Sequence, residues 1–146
     1  MDEKTQLLAK YKPQSLKVLQ TKQQVLAARF SPCGKYLIGG GFDGHVHRWD
    51  IQNVEIAEPK VLTGHGGWAQ ATTFSPDQKH LFSGDSWGKL ICWPYTEESP
   101  QPIWSVAEAH DGWLRDIAVS PDGSTVATCG RDQTVRLWSA TNGKLL

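Results

Sequence analysis

A Ser-Pro pair and a tryptophan recur along this chain at one fixed spacing. Ser-Pro follows a short, mostly apolar run three times, and in each copy a tryptophan stands 18 positions after the serine. Successive tryptophans are 44 and 45 residues apart, a period typical of folds built from repeated units that pack against their neighbours. The three pairs are Ser31 with Trp49, Ser75 with Trp93, and Ser120 with Trp138.

Each period contains short apolar runs separated by turn residues. The run before Ser-Pro reads VLAARF, AQATTF or LRDIAV, and the next two runs read KYLIGG, KHLFSG or TVATCG and then HVHRW, KLICW or TVRLW. Runs of this length with Pro, Gly and Asp between them predict antiparallel strands joined by hairpins. A fourth run, PKVL or PIWSV, begins with proline, which suits an edge strand because one backbone donor is absent.

These repeats predict an all-β fold. Four-stranded antiparallel units of this period are typical of β-propeller blades, and the chain contains three of them. We place the blades at about residues 21–65, 65–110 and 110–146, within a repeat region of 15–146 that follows an N-terminal tail of residues 1–14. The third blade is unfinished, because the residues after Trp138 can form only the start of a fourth strand.

Three blades are few for a ring, because propellers typically have about four to eight blades around a channel. The segment LKVL, residues 16–19, occupies the position of a fourth strand that has no preceding blade to join. The chain is then either a piece of a larger propeller, which we favour, or one of several copies that complete a ring as a homo-oligomer. An open arc would expose apolar blade faces.

Composition limits the classes of partner and the compartment. The chain has 15 Lys and Arg residues against 15 Asp and Glu residues, which argues against a nucleic acid or an anionic membrane held by bulk charge. No apolar stretch approaches the length that spans a membrane. The cysteines Cys33, Cys92 and Cys129 are odd in number and widely spaced, which fits a reducing compartment, and we expect a cytoplasmic location.

The third copy carries the motifs of a known family. It reads AHDGWLRDIAVSPDGSTVATCGRDQTVRLWS and resembles the WD-repeat family of β-propellers, whose pattern runs from Gly-His through Ser-Pro-Asp-Gly to Asp-x-Thr-Val-Arg-Leu-Trp-Asp. The resemblance covers the chain from about Leu16 onward. It implies a hydrogen-bonded tetrad of His, Ser or Thr, Asp and Trp in each blade. In the third copy the tetrad is His110, Thr128, Asp132 and Trp138.

The first two copies depart from the tetrad. In the second copy Trp87 stands where the aspartate should be, and in the first Thr21 replaces the histidine and Gly39 replaces the hydroxyl residue. We therefore expect the third blade to be the most rigid and the first the least. An Asp-His-Ser/Thr set also resembles a hydrolase constellation, but the resemblance implies a framework role. The members present are His65, Ser83 and Trp93 in the second copy, and Asp43 and Trp49 in the first.

The resemblance also implies a partner-binding face near the tetrad turns. The register of the repeats places a cluster of aromatic and arginine side chains there, and these residue types are enriched at binding hot spots. For Trp68 and Trp113 the alternative is packing between neighbouring blades, and for Phe42 it is a solvent-exposed turn. The candidate contact residues are Phe42, Trp68, Gln70, Trp87, Trp113, Arg115 and Arg131.

The expected function is that of a non-catalytic scaffold that binds a protein or peptide through this face, without a cofactor. One alternative is a regulatory propeller segment of a larger enzyme, since no nucleophile paired with a base is evident in these residues. Small-molecule binding in a central channel is another alternative. His45 and His47 alternate on one strand face, but no third ligand accompanies them, so the sequence predicts no metal site.

Overall fold

The computed structural model describes residues 17–52, 55 and 58–146, and within them the chain forms eleven strands in three antiparallel sheets. The predicted tail, residues 1–14, lies outside the described residues. Blade 1 consists of β1 (Val25–Phe30), β2 (Tyr36–Gly41), β3 (His45–Asp50) and β4 (Lys60–Thr63). Blade 2 consists of β5 (Ala69–Phe74), β6 (Leu81–Asp85), β7 (Leu90–Trp93) and β8 (Trp104–Val106). Blade 3 consists of β9 (Leu114–Val119), β10 (Thr125–Gly130) and β11 (Val135–Ser139).

The strands of each sheet follow one another in chain order, which confirms the predicted all-β fold of propeller blades. The orders are β1-β2-β3-β4, β5-β6-β7-β8 and β9-β10-β11. Blade 3 ends with a single bridge between Trp138 and Leu145 where the other blades have a fourth strand. No helix in the described part of the chain is long and apolar enough to cross a membrane.

The recurring serine closes the turn between the first two strands of each blade. Its hydroxyl oxygen accepts a hydrogen bond from the backbone N–H five residues on, at 2.9 Å from Tyr36, 2.9 Å from His80 and 3.0 Å from Thr125. The fourth turn residue has a positive φ, which glycine adopts without strain in blades 1 and 3, and which Gln78 adopts in blade 2 with φ of 62°. One serine per blade therefore fixes the same hairpin three times.

The apolar core lies between adjacent blades. Side chains alternate between the two faces of a strand, so each blade offers one face to the blade before it and the other to the blade after it. Between blades 1 and 2 the buried side chains are Tyr36, Ile38, Val46, Leu62, Ala69, Leu81, Ile91, Trp93 and Tyr95. Between blades 2 and 3 they are Ala71, Phe82, Leu90, Cys92, Ala109, Leu114, Ile117, Val126 and Trp138.

Two blade faces have no neighbouring blade among the described residues, and we call them the free faces. On blade 1 the free face leaves Phe30 70% and Val61 45% exposed, and on blade 3 it leaves Val135 74% and Leu137 47% exposed. Apolar surface of this kind normally packs against another element. Both ways of completing a ring, a longer chain or several copies, stay predictions, since the free faces fit either.

Of the segment predicted to occupy a fourth-strand position, residues 17–19 are not in a strand, and its place in a completed ring stays a prediction. A strand there would pair with the third strand of a preceding blade, and the described residues contain no such blade. Residues 17–20 instead border a shallow pocket together with Trp49, Glu58 and Pro59.

Candidate interaction surface

Blade 3 contains a continuous chain of hydrogen bonds that ends at the turn between β10 and β11. His110 Nδ1 lies 2.9 Å from Asp132 Oδ1, and His110 Nε2 lies 2.7 Å from Thr128 Oγ1. Trp138 donates its Nε1–H to the same hydroxyl oxygen at 2.8 Å. The structure therefore brings together the four residues that the family resemblance assigns to the tetrad.

Blade 2 contains the same chain of hydrogen bonds, but its carboxylate comes from an unpredicted position. Asp85 Oδ2 lies 3.0 Å from His65 Nδ1, and His65 Nε2 lies 2.6 Å from Ser83 Oγ. Trp93 donates its Nε1–H to that hydroxyl at 2.7 Å. The expectation that this set lacks its aspartate is therefore wrong, because Asp85 supplies the carboxylate two residues before Trp87.

The space beside the histidine decides which position supplies the carboxylate. In blade 3 the residue that corresponds to Asp85 is Gly130, where an added Cβ would stand 2.3 Å from His110 Nδ1. In blade 2 the Asp85 side chain fills this position, and the N–H groups of Gly66 and Gly67 donate to its Oδ2 at 3.2 and 3.3 Å. The two glycines after the histidine therefore help to accommodate the carboxylate.

Asp85 is fully buried and ionised. Burial by itself raises the pKa of the carboxyl, but hydrogen bonds from the His65 ring and from the backbone N–H groups of Lys89 and Gly67 outweigh it and lower the pKa to about 2. Its Oδ1 also accepts hydrogen bonds at 2.9 Å from the N–H groups of Trp87 and Lys89. One carboxylate thus holds the His65 loop and the β6–β7 turn together.

Blade 1 has a different arrangement in place of the tetrad. His47 Nε2, on β3, lies 2.8 Å from Asp43 Oδ2, and the His47 ring stacks on Trp49 with ring centroids 5.7 Å apart. Gly39 occupies the hydroxyl position, where an added Cβ would stand 2.9 Å from the Trp49 ring. A histidine from the third strand therefore pairs with the aspartate in the blade that lacks a loop histidine.

The two histidines of β3 share the free face of blade 1. The ring centroids of His45 and His47 are 6.3 Å apart, and His47 is engaged with Asp43. Within residues 17–52, 55 and 58–146 no group of three or more His, Cys, Asp or Glu side chains is arranged to hold a metal ion.

Replacing Asp132 with alanine should destabilise the protein more than replacing Asp43 with alanine. Asp132 accepts hydrogen bonds from the His110 and Arg136 side chains and from two backbone N–H groups, whereas Asp43 accepts one from His47 and one from the backbone. Each donor left without an acceptor costs free energy. Urea unfolding measures both variants, and equal losses would contradict the prediction.

Three aromatic side chains, one from each blade, form a row at the edge that carries the tetrad turns. Phe42 packs edge-to-face on Trp68 with ring centroids 4.4 Å apart, and Trp68 packs on Trp113 at 5.6 Å. We call these three residues the aromatic row. Arg115 ends the row, with its guanidinium carbon 4.4 Å from the centre of the Trp113 ring. The row crosses both blade boundaries, yet Trp68 keeps 41% of its surface exposed.

Trp87 borders a groove that it shares with the aromatic row. Its indole lies close over the backbone of Gly66, where an added Cβ would stand 2.7 Å from the ring, and 70% of the residue is exposed. The groove has a volume of about 290 Å³, and we call it the aromatic groove. Its lining residues are Phe42, Asp43, Gly44, Gly66, Gly67, Trp68, Ser86, Trp87 and Trp113.

Three of the candidate contact residues, Gln70, Arg115 and Arg131, do not line the aromatic groove. Gln70 is half-buried, and its side-chain amide donates to the Leu114 carbonyl at 2.8 Å. It therefore joins blade 2 to blade 3, and its role as a partner contact stays a prediction. Arg131 is exposed, and its backbone N–H donates to the Trp113 carbonyl at 2.8 Å.

A comparison with known families decides the identity of the repeats. The family described as "WD domain, G-beta repeat" matches residues 13–50, 57–93 and 100–139, which is most of the chain. The chain belongs to the WD-repeat family. WD-repeat proteins typically act as scaffolds for protein interactions and are generally not enzymes.

The chain is similar to segments of longer WD-repeat proteins. It is 28% identical to Protein HIR1 of Eremothecium gossypii over 148 residues, which cover 82% of this chain and 18% of that protein. It is 33% identical to Pre-mRNA-processing factor 17 of Homo sapiens over 116 residues, which cover 77% of this chain and 20% of that protein. The chain thus spans about a fifth of the length of the curated relatives it matches.

A solved structure with a similar fold supports the propeller architecture. The crystal structure of the computationally designed Ika4 protein matches with a TM-score of 0.75 and 24% sequence identity, over 92% of this chain and 78% of that chain. At this identity the likeness concerns the fold alone.

The relatives of this WD-repeat chain correct the expected cytoplasmic location. One of them is a pre-mRNA-processing factor, and pre-mRNA processing takes place in the nucleus. The expectation rested on the cysteines, which are indeed free at positions 33, 92 and 129. Thiols stay reduced in the nucleus as well as in the cytosol, so this signal does not separate the two compartments.

The pattern of the WD-repeat motifs missed two framework residues. Asp85 stands two positions after the tetrad Ser83, where the other copies have glycine, and this substitution is a signal that a carboxylate enters the blade there. His47 stands two positions before Trp49 in the slot that the family fills with arginine. In both blades, a polar residue in a strand next to an incomplete tetrad indicates a side chain that completes or replaces the network.

Proposed function

We propose that this WD-repeat chain is a non-catalytic scaffold that binds a protein or peptide in the aromatic groove. The observation that carries the proposal is Trp87, a tryptophan that is 70% exposed and borders a groove lined by three further aromatic rings. Tryptophan is among the residues most enriched at binding hot spots, where its large apolar surface is buried on association.

The blade framework does not require an aromatic side chain at position 87. Asp85 provides the tetrad carboxylate of blade 2 and also accepts the backbone N–H of Trp87. The β6–β7 turn is therefore held through the backbone of residue 87, and its indole is available for contacts outside the blade. This division supports a binding role for the side chain.

The tetrad hydroxyls support a non-catalytic role. Ser83 Oγ is fully buried and already contacts His65 Nε2 at 2.6 Å and Trp93 Nε1 at 2.7 Å. Thr128 Oγ1 is buried in the same way between the side chains of its own blade. A nucleophile must reach its substrate, and neither hydroxyl is accessible to one.

Selection of a displayed library of random peptides on the protein tests this function. We expect an enriched peptide family whose affinity falls about tenfold or more in Trp87→Ala, because removal of a hot-spot tryptophan typically costs about 2 kcal/mol or more. The melting temperature should change little. Titration of the enriched peptides by fluorescence anisotropy measures the affinities.

Phe30 offers a matched control because it has the same exposed fraction, 70%, but lies on the free face of blade 1. Phe30→Ala should leave peptide affinity unchanged. If the peptides bind Trp87→Ala as tightly as the parent chain, the groove is not the binding site. If Trp87→Ala fails to fold, Trp87 belongs to the framework and the proposal fails.

A further inference from the structure

The aromatic groove is large enough to receive a side chain of a partner. Its volume of about 290 Å³ is just below the roughly 300–1,000 Å³ that is typical of small-molecule pockets. Four aromatic rings, those of the aromatic row and of Trp87, line it together with three glycines. Because the face of an aromatic ring carries negative partial charge, a groove lined by such rings attracts a cation.

The charged side chain in the lining of the aromatic groove is Asp43. Burial by itself raises the pKa of this carboxyl, but hydrogen bonds from the His45 backbone N–H and the His47 ring outweigh it, so the pKa lies below its usual value. No lysine or arginine is among the described residues that line the groove. The groove therefore offers an incoming group ring faces and a carboxylate.

A second groove on the blade 3 side also includes Trp87 and carries negative charge. Its volume is about 450 Å³, and its lining residues are Trp87, Glu108, His110, Asp111, Gly112 and Arg136. The charge of Arg136 is compensated, because its Nη2 lies 3.0 Å from Asp132 Oδ2. Glu108 and Asp111 are exposed and remain as the charges that a ligand meets there.

We propose that the aromatic groove binds a lysine or arginine side chain of the partner, held by cation–π contact with Trp68 and Trp87 and by the charge of Asp43. The inference rests on the proposed peptide-binding function and names the chemistry of the residue that is recognised. Glu108 and Asp111 in the neighbouring groove extend the same preference for basic over acidic sequence along the partner.

Two exposed arginines near the aromatic groove could instead attract an acidic side chain of the partner. Arg115 stacks on Trp113, and Arg131 lies beside it through the backbone contact to the Trp113 carbonyl. Neither arginine lines the aromatic groove or the groove beside it. An acidic side chain directed at these arginines and an uncharged apolar side chain in the groove are the competing occupants.

Four capped heptapeptides, acetyl-Gly-Ser-Gly-X-Gly-Ser-Gly-amide, distinguish these occupants when X is lysine, arginine, norleucine or glutamate. Norleucine has the carbon chain of lysine without the charge. We expect lysine and arginine peptides to shift the indole N–H signals of Trp68 and Trp87 in 15N-labelled protein, with an affinity about fivefold or more above that of norleucine. Glutamate should leave these signals unchanged.

Substitutions at Trp87 separate cation–π contact from plain apolar contact. Trp87→Leu should reduce the preference for lysine over norleucine, because Trp68 and Asp43 remain, whereas Trp87→Tyr should retain it because an aromatic face is kept. Asp43→Asn should weaken lysine binding because it removes the charge. If this variant fails to fold, Trp87→Leu still tests the inference, since it leaves Asp43 in place.

Equal binding of norleucine and lysine, preferred binding of glutamate, or no indole shift at millimolar peptide each overturns the inference. The proposed function survives these results if the display selection still yields peptides that depend on Trp87. It fails separately if that selection yields none.

Discussion

Replacing Asp85 with alanine should lower the free energy of unfolding by about 3–5 kcal/mol, because several donors lose their acceptor and each orphaned donor costs roughly 1–3 kcal/mol when it is buried. The carboxylate is fully buried and accepts hydrogen bonds from His65 and from the backbone N–H groups of Gly66, Gly67, Trp87 and Lys89. Its removal leaves these donors without their acceptor. Guanidinium chloride unfolding, followed by tryptophan fluorescence, measures the loss.

Asp122 provides the control for this substitution. It lies in a Ser-Pro turn and also accepts several hydrogen bonds, from Ser120 and Ser124, but it is exposed to solvent. Asp122→Ala should be clearly less destabilising, because water can replace the lost acceptor. If Asp85→Ala costs no more than Asp122→Ala, the buried carboxylate is not what holds blade 2 together.

Acid should reveal the same contribution. The pKa of Asp85 is about 2 in the folded chain and about 3.9 in an unfolded chain, so its stabilisation is complete above pH 4 and is lost as the pH falls towards 2. The free energy of unfolding should therefore fall more steeply between pH 4 and pH 2 in the parent chain than in Asp85→Asn. Parallel curves would contradict the assignment.

Replacing Gly88 with alanine should destabilise the protein by about 3 kcal/mol or more, since strained backbone and overpacking each cost roughly 1–3 kcal/mol. Gly88 has a φ of 85°, and an added Cβ would stand 2.0 Å from the His110 carbonyl oxygen. The backbone N–H of His110 donates to the Gly88 carbonyl at 3.1 Å, so the clash falls on the junction of blades 2 and 3. Chemical denaturation measures the loss.

Gly34→Ala separates the two costs at Gly88. Gly34 also has a positive φ, 70°, but nothing lies within 4 Å of an added Cβ. This variant carries the backbone strain alone, about 1–2 kcal/mol. A similar loss for Gly34→Ala and Gly88→Ala would show that the close approach to blade 3 is relaxed in solution.

The sequence predicts the fold well because local chemistry repeats with the blade. Each Ser-Pro pair reports a turn in which the serine hydroxyl closes the hairpin, and each strand-three tryptophan reports the end of the third strand. These signals depend on residues at most five positions apart. The order of the strands in each sheet follows from these signals, since hairpins join strands that are consecutive in the chain.

The sequence predicts the side-chain networks less well because they depend on space between distant segments. Whether the tetrad carboxylate comes from position 85 or from the turn depends on the space beside His65. The alignment of the repeats in one sequence carries no information about that space. The hydrogen bond by which Gln70 joins blade 2 to blade 3 is hidden from the sequence for a similar reason, since its acceptor at Leu114 lies 44 residues away. The aromatic row is better predicted, because Trp68 and Trp113 both stand three residues after the histidine of their copy and meet across the blade boundary.

The position of the tetrad carboxylate in blade 2 has a consequence for how this surface changes in evolution. In blade 3 the turn residue Asp132 holds His110 and Arg136 by hydrogen bonds, so a substitution there is expected to lower the stability. In blade 2 Asp85 supplies the tetrad carboxylate, so the tetrad does not require a particular side chain at position 87. Substitutions at position 87 are therefore expected to cost little stability, so that this position can be varied more freely than Asp132.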